Sequence, residues 1–265
     1  MPFDLSLVLT PKQASDVKYY LPLIARDMGV DSSRVSLVRV VRRSIDARRR
    51  PVRVNLGVEV YVDHEREPDP VRFDYPFVGG RTPVVVVGSG PAGLFAALTL
   101  ARAGGQPILI ERGKPVEARA QDVARMAEAG VLDPESNVQF GEGGAGAFSD
   151  GKLTTGTKSP LIRTVLQTFV DHGAPENILY IAKPHVGTDL LKGVVRSMRQ
   201  EIIQLGGQVR FDTRLTGLMM RGESIEGITV LCGGETQEIR ADTLILAIGH
   251  SARDTMQTLF RQGVR

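Results

Sequence analysis

The segment VVVVGSGPAG, residues 84–93, constrains the chain more than any other stretch. Four consecutive valines suit a strand buried on both faces. Gly88, Gly90 and Gly93 follow with the spacing G-x-G-x-x-G, and residues 94–103 carry helical periodicity up to Gly104 and Gly105. A strand, a glycine turn and a helix in that order form a phosphate-binding turn for a dinucleotide. Gly88 permits the sharp bend, Gly90 lets the backbone approach a pyrophosphate, and Gly93 lets the helix sit tight on the sheet. The helix N-terminus adds free N–H groups and a partial positive charge; Ser89, Pro91 and Ala92, which complete this turn, join the glycines as candidate cofactor-binding residues. Glu111 ends a second apolar strand, 107–110, about 20 residues further on, where an acid accepts from ribose hydroxyls and repels a 2′-phosphate. Arg112 beside it softens that repulsion.

The pattern on either side of this turn divides the chain. Residues 1–78 read as a small α+β domain: Leu5, Leu7 and Leu9 alternate, 14–28 suits a helix ending at Gly29, and 35–41 and 52–62 alternate again around a connection at 44–50. A Pro/Asp/Glu-rich stretch, 64–70, and the pair Gly79-Gly80 then separate it from residues 79–265. Those read as α/β, with helices at 116–129, 160–172 and, capped by Asp189, up to Leu205. Strands at 209–218, 225–231 and 236–240 make a small meander that feeds a last buried strand, 243–248. The expected fold is therefore α/β: an FAD/NAD(P)-binding Rossmann-type three-layer domain with a β-meander, preceded by a small α+β N-terminal domain. Residues 157–188 are expected to belong to a substrate domain.

Composition excludes more than it assigns. Cys232 is the sole cysteine, so these residues hold no disulfide, CxxC pair or cysteine zinc site, and no metal site is expected. The opening MPFDLSLVLT lacks a cationic leader, and no apolar run approaches the ~20 residues of a membrane span; a soluble cytoplasmic protein is expected. The net charge of +3 is modest. Arg34, Arg39, Arg42, Arg43, Arg48, Arg49, Arg50 and Arg53 nonetheless cluster around Asp46 as their single local counter-charge. No aromatic residue lies among them to stack on bases, which argues against nucleic acid as a partner.

FAD and NAD share the fingerprint. In NAD dehydrogenases a second mononucleotide half usually completes the sheet; here a meander leads into ADTLILAIG, 241–249. That order resembles two-dinucleotide-domain flavoproteins of the glutathione reductase type. The resemblance implies that Ala247, Ile248 and Gly249 line the cofactor and that the backbone near Leu215 meets the adenine. A second glycine cluster, QFGEGGAGAFSDGKLTTG at 139–156, nearly spells a P-loop from Gly146 to Lys152. It fails at Leu153, where Ser or Thr would bind magnesium. Gly143, Gly144, Ala145 and Gly146 read better as a backbone loop that approaches the pyrophosphate, ribityl chain or flavin ring.

GEGGAGAFSDGKL, KPHVGTD (183–189), AIGHSARDT (247–255) and RRSIDARRR together resemble the bacterial FAD-dependent dehydrogenase family of NAD(FAD)-utilizing type, along essentially the whole chain. Members are usually about twice this length, which implies a fragment or truncated product lacking the C-terminal half and its late Gly-Asp motif. The resemblance implies an FAD-dependent oxidoreductase acting on a small organic molecule, with NAD(P)H as a candidate electron donor. Lys152, which could sit near the flavin, and His185 are the candidate catalytic side chains; His250 follows the cofactor-side glycine. An RNA-modifying flavoprotein and a non-catalytic nucleotide-binding fragment are the alternatives.

Overall fold

The computed structural model describes residues 2–65, 73–79, 83–149 and 151–264. Most of the 64–70 stretch, Gly80 and Asp150 of the near-P-loop lie outside the described residues. The chain forms two compact units. The first contains Met1–Phe73, Lys152–Val170 and Pro175–His185; the second contains Asp74–Gly151, Asp171–Ala174 and Val186–Arg265. Most of the 157–188 segment thus clusters with the N-terminal residues.

In the first unit β1 (Phe3–Leu9), α1 (Val17–Met28), β2 (Val35–Asp46) and β3 (Arg53–Val62) follow one another. The sheet order is β1-β3-β2, antiparallel throughout. Val54, Leu56, Val58 and Val60 recur at every second position of the central strand, so their side chains share one face. Tyr20 and Ile24 of α1 close over them. Asp16 accepts from the Lys18 N–H to start α1, and Gly29, at φ 69°, stops it in the left-handed conformation that glycine adopts without strain. β2 runs to Asp46 instead of ending near 41, because Arg53 to Gly57 of β3 supply the pairing backbone. The single counter-charge expected for the arginine cluster is also corrected. Arg39 pairs with Glu59 across the sheet and Arg34 with Asp63, partners that local sequence does not display.

The second unit holds β4 (Val84–Val87), α2 (Pro91–Arg102), β5 (Ile108–Ile110), α3 (Val116–Ala129) and most of the C-terminal residues. Later come α4 (Leu161–Asp171), largely in the first unit, α5 (Thr188–Gln204) and β6 (Gln208–Arg210). Then follow β7 (Thr213–Arg221), β8 (Ser224–Cys232), β9 (Glu235–Arg240), β10 (Thr243–Leu246) and α6 (Arg253–Arg261). A parallel sheet of order β10-β4-β5-β6 forms the middle layer. Val85, Val87, Ile108 and Ile110 face Leu215, Ile228, Val230 and Ile239 of the antiparallel β7-β8-β9 meander. The other face carries α2, on which α5 packs, with α3 against α5. Full burial of each such aliphatic side chain contributes about 1.5–3 kcal/mol. The fold is the three-layer Rossmann-type α/β domain.

Two local expectations change. The strand foreseen at 209–218 is divided between two sheets: β6 belongs to the parallel sheet and β7 to the meander. Asp212, at φ 49°, makes the turn between them, a conformation that aspartate tolerates better than most residues. Asp189 does not cap α5; the helix begins at Thr188 with Gly187 ahead of it, and Asp189 sits in the first turn, where its charge meets the positive end of the helix dipole. Among the described residues no helix is long and apolar enough to cross a membrane.

Candidate nucleotide-binding cleft

Parallel strands from a βαβ unit end on the same side, and α2 begins just where β4 stops. Beside these strand ends lies a cleft of about 390 Å³. The first glycine turn contributes Gly88, Gly90, Pro91 and Ala92, and the end of β5 contributes Glu111 and Arg112. Gly144 and Ala145 come from the second glycine loop, Leu215 from the meander, and Ala247, Ile248, Gly249 and His250 from the turn after β10. These segments lie far apart in sequence and meet around one hollow. Ser89, Gly93, Gly143 and Gly146 do not line it. Ser89 and Gly143 are joined behind it, the Gly143 N–H donating to the Ser89 carbonyl at 2.9 Å. Lys152 and His185 do not line it either; they bridge each other, backbone to backbone, in the first unit.

The three fingerprint glycines have different reasons to be glycine. A Cβ on Gly88 would stand 2.4 Å from the Ala247 carbonyl oxygen, and Gly88 holds φ 98°. A Cβ on Gly93 would stand 1.7 Å from the Gly88 oxygen, so the helix can approach its own turn only without a side chain there. Gly90 meets neither demand. Its φ is −67°, and a Cβ there would come no nearer than 3.9 Å to another segment, at the Gly144 Cα. The fold does not need glycine at 90; a ligand lying against the turn does.

Glu111 lines the cleft, yet the residue is only 5% exposed. Its Oε2 accepts from the Ser89 N–H (2.8 Å) and hydroxyl (2.9 Å). Its Oε1 accepts from the N–H groups of Gly113 (2.9 Å) and Gly141 (3.0 Å). A carboxylate has about four acceptor positions, so the acid singled out for a ribose already joins three segments of the chain. Arg112 is likewise engaged. It donates to Glu135 at 2.8 Å and to both Asp254 oxygens at 3.0 and 2.9 Å, and it lies 4.3 Å from the centre of the Phe140 ring. The Arg112 hydrogen bonds hold the Asp254 carboxyl below its usual range. Arg112 is therefore neutralised by its neighbours and is not a free receptor for a 2′-phosphate.

Behind the second glycine loop lie two charged residues that sequence reasoning missed. Arg119 and Glu142 are both fully buried. Burial pulls the Arg119 guanidinium down to about 10 and pushes the Glu142 carboxyl up to about 7. Glu142 Oε2 accepts from the Val116 N–H (2.8 Å) and from Arg199 (2.9 Å). Neither residue carried a signal: Arg119 sits in a helix of charged residues that reads as solvent-facing, and Glu142 reads as one polar residue among glycines.

Residues 82–259, which contain every strand of the parallel sheet and every cleft segment, match the pyridine nucleotide-disulphide oxidoreductase family. The chain belongs to that family. Residues 1–61 match a separate domain family of unknown function, DUF8436. An uncharacterised protein of Clostridium beijerinckii is 42% identical over 259 residues, covering 91% of this chain and 48% of that protein. The chain thus spans about half the length of this relative. Among solved structures, THI4 of Thermovibrio ammonificans aligns at 17% identity and TM-score 0.46, over 69% of this chain and 62% of its own. A 3-ketosteroid-delta4-(5alpha)-dehydrogenase of Rhodococcus jostii aligns at 17% identity and TM-score 0.40, over 64% and 46%. Likeness at that level carries no inference about chemistry. This pyridine nucleotide-disulphide oxidoreductase domain has one cysteine, Cys232 in β8, so no disulphide forms within these residues.

Proposed function

We propose that the cleft binds FAD and that the chain acts as an FAD-dependent oxidoreductase on a small organic substrate, of the bacterial FAD-dependent dehydrogenase type its motifs resemble. The observation that carries this reading is Gly90, a glycine that the fold does not require, facing a hollow that a dinucleotide would fill. The residues present suit that group. The N-terminus of α2 offers unpaired N–H groups to a pyrophosphate, and engaged Arg112 favours a cofactor without a 2′-phosphate. The meander in place of a second mononucleotide half favours FAD over NAD. Gly144 and Ala145 lie across from the turn, and the Leu215 backbone serves the adenine end. Flavin, when bound, supplies the hydride or electron-pair chemistry itself, so the chain's task is to bind and orient it and to keep water away. Lys152 and His185 of the first unit remain the side chains proposed for substrate chemistry, and NAD(P)H the proposed electron donor.

Gly90→Ala tests the reading. Gly90 is the N-cap of α2, where Ala is poorer than Gly, so the variant's stability should fall by about 1 kcal/mol and the chain should still fold. Its affinity for FAD, read from flavin absorbance near ~450 nm after gel filtration, should fall about tenfold or more. A wild-type chain that stays colourless after incubation with FAD, or a Gly90→Ala chain that holds FAD normally, would sink the assignment.

A further inference from the structure

We infer that Arg119 is a positioning residue for the cofactor cleft: one buried guanidinium gathers the carbonyls of the second glycine loop and so turns a loop N–H toward the ligand. The inference rests on the FAD reading above and adds to it the device that shapes one wall.

Arg119 Nε donates to the Asn137 carbonyl at 2.8 Å. Its Nη1 lies 3.2 Å from the Gly141 oxygen, 2.5 Å from that of Glu142 and 2.8 Å from that of Gly144. Three carbonyls from four consecutive residues therefore converge on one nitrogen. An ordinary loop cannot do this, and the loop meets the demand with Gly141, Gly143 and Gly144 at φ 114°, 80° and 60°. The fit around the side chain is close: a Cβ on Gly141 would stand 2.5 Å from Arg119 Cδ. The Phe148 ring covers the guanidinium at 4.6 Å.

The consequence for the cleft follows from peptide geometry. In a trans peptide the C=O and the next N–H point in opposite directions. With the Gly144 carbonyl held on buried Arg119, the Ala145 N–H is directed away from the buried side. Gly144 and Ala145 line the cleft, and the Gly144 Cβ position is 3.2 Å from the Gly90 Cα. The Ala145 N–H thus joins those at the start of α2 as a donor to an anionic group such as the cofactor's pyrophosphate. Arginine suits this role because its donors lie in a rigid plane; lysine would bring the charge as a single point.

The test is an FAD titration of the apo chain and of Arg119→Lys, followed by flavin fluorescence, with amide hydrogen exchange read at 141–147 and at 84–110. Arg119→Lys keeps the charge and should fold, but its FAD affinity should fall about tenfold or more. Exchange should accelerate at 141–147 and not at 84–110. Gly141→Ala is the companion variant, since it leaves Arg119 in place and displaces its side chain from the loop; it should show the same pair of changes. Wild-type FAD affinity in either folded variant overturns the inference while leaving the FAD reading intact. Failure of the wild-type chain to bind FAD overturns both.

Discussion

The two glycine-rich segments that meet at the cleft, 88–93 and 141–146, place backbone against the same hollow by different physics. In the first, a strand and a helix fix the path, and Gly88 and Gly93 are what remains when backbone must pass within contact of backbone. Its donors come from the helix end. In the second no strand or α-helix dictates the shape; a single 3-10 turn, Ala145–Phe148, ends it. Four carbonyls, three of them in the loop, close on the buried cation of Arg119, and Glu142, whose buried carboxyl is pushed up to about 7, ties the same loop to α3 and α5. The first wall is therefore a steric solution and the second an electrostatic one. A steric wall has no dependence on pH, whereas an electrostatic one inherits that of its charges.

The largest expected effect separates the two walls at once. Gly93→Ala should destabilise the chain by more than about 4 kcal/mol, or prevent folding, because its Cβ would overlap the Gly88 carbonyl; a urea midpoint close to wild type would contradict the steric account. Next comes Glu142→Gln. Burial raises the folded-state pKa of Glu142 from 4.5 to about 7, so between those values the folded chain keeps a proton that the unfolded chain has released. Stability from this group accordingly falls as pH rises from about 4.5 to 7. Glu142→Gln should flatten the decline of melting temperature across that window, and an unchanged slope would remove the electrostatic character assigned to the second wall. The smallest effect belongs to Gly146→Ala. Gly146 has ordinary φ and open space at its Cβ position, so the change should be neutral or stabilise by up to about 1 kcal/mol. A large loss would show that the loop is sensitive at every glycine, and not just where backbone or Arg119 comes close.

The same contrast explains what the sequence makes legible. The fingerprint, its strand and helix lie within 20 residues (84–103), and each residue type there answers a local need. The segments at 111–112, 144–145, 215 and 247–249 were found through spacing or family resemblance, and they do meet at one cleft. Arg119 was invisible because the carbonyls it holds lie 18 to 25 residues away, and its helix neighbours Glu117, Asp122 and Arg125 are also charged. Only the folded loop removes it from water. Two arginines of the N-terminal cluster show the same blindness: Arg39 in β2 and Arg34 just before it find Glu59 and Asp63 at separations of 20 and 29 residues. The break of the 209–218 strand at Asp212 is hidden for a different reason, since nothing in a continuous alternation announces that one strand must become two.

Glu111 draws these threads into one joint. Its carboxylate is bonded at once to the first glycine turn, to the turn after β5 and to the second glycine loop. Three loops that share one fastening cannot open independently. Local unfolding at the mouth of the cleft should therefore be a single cooperative event, with amides 89, 113 and 141 exchanging at one common rate. A ligand that steadied any one of these loops would slow all three.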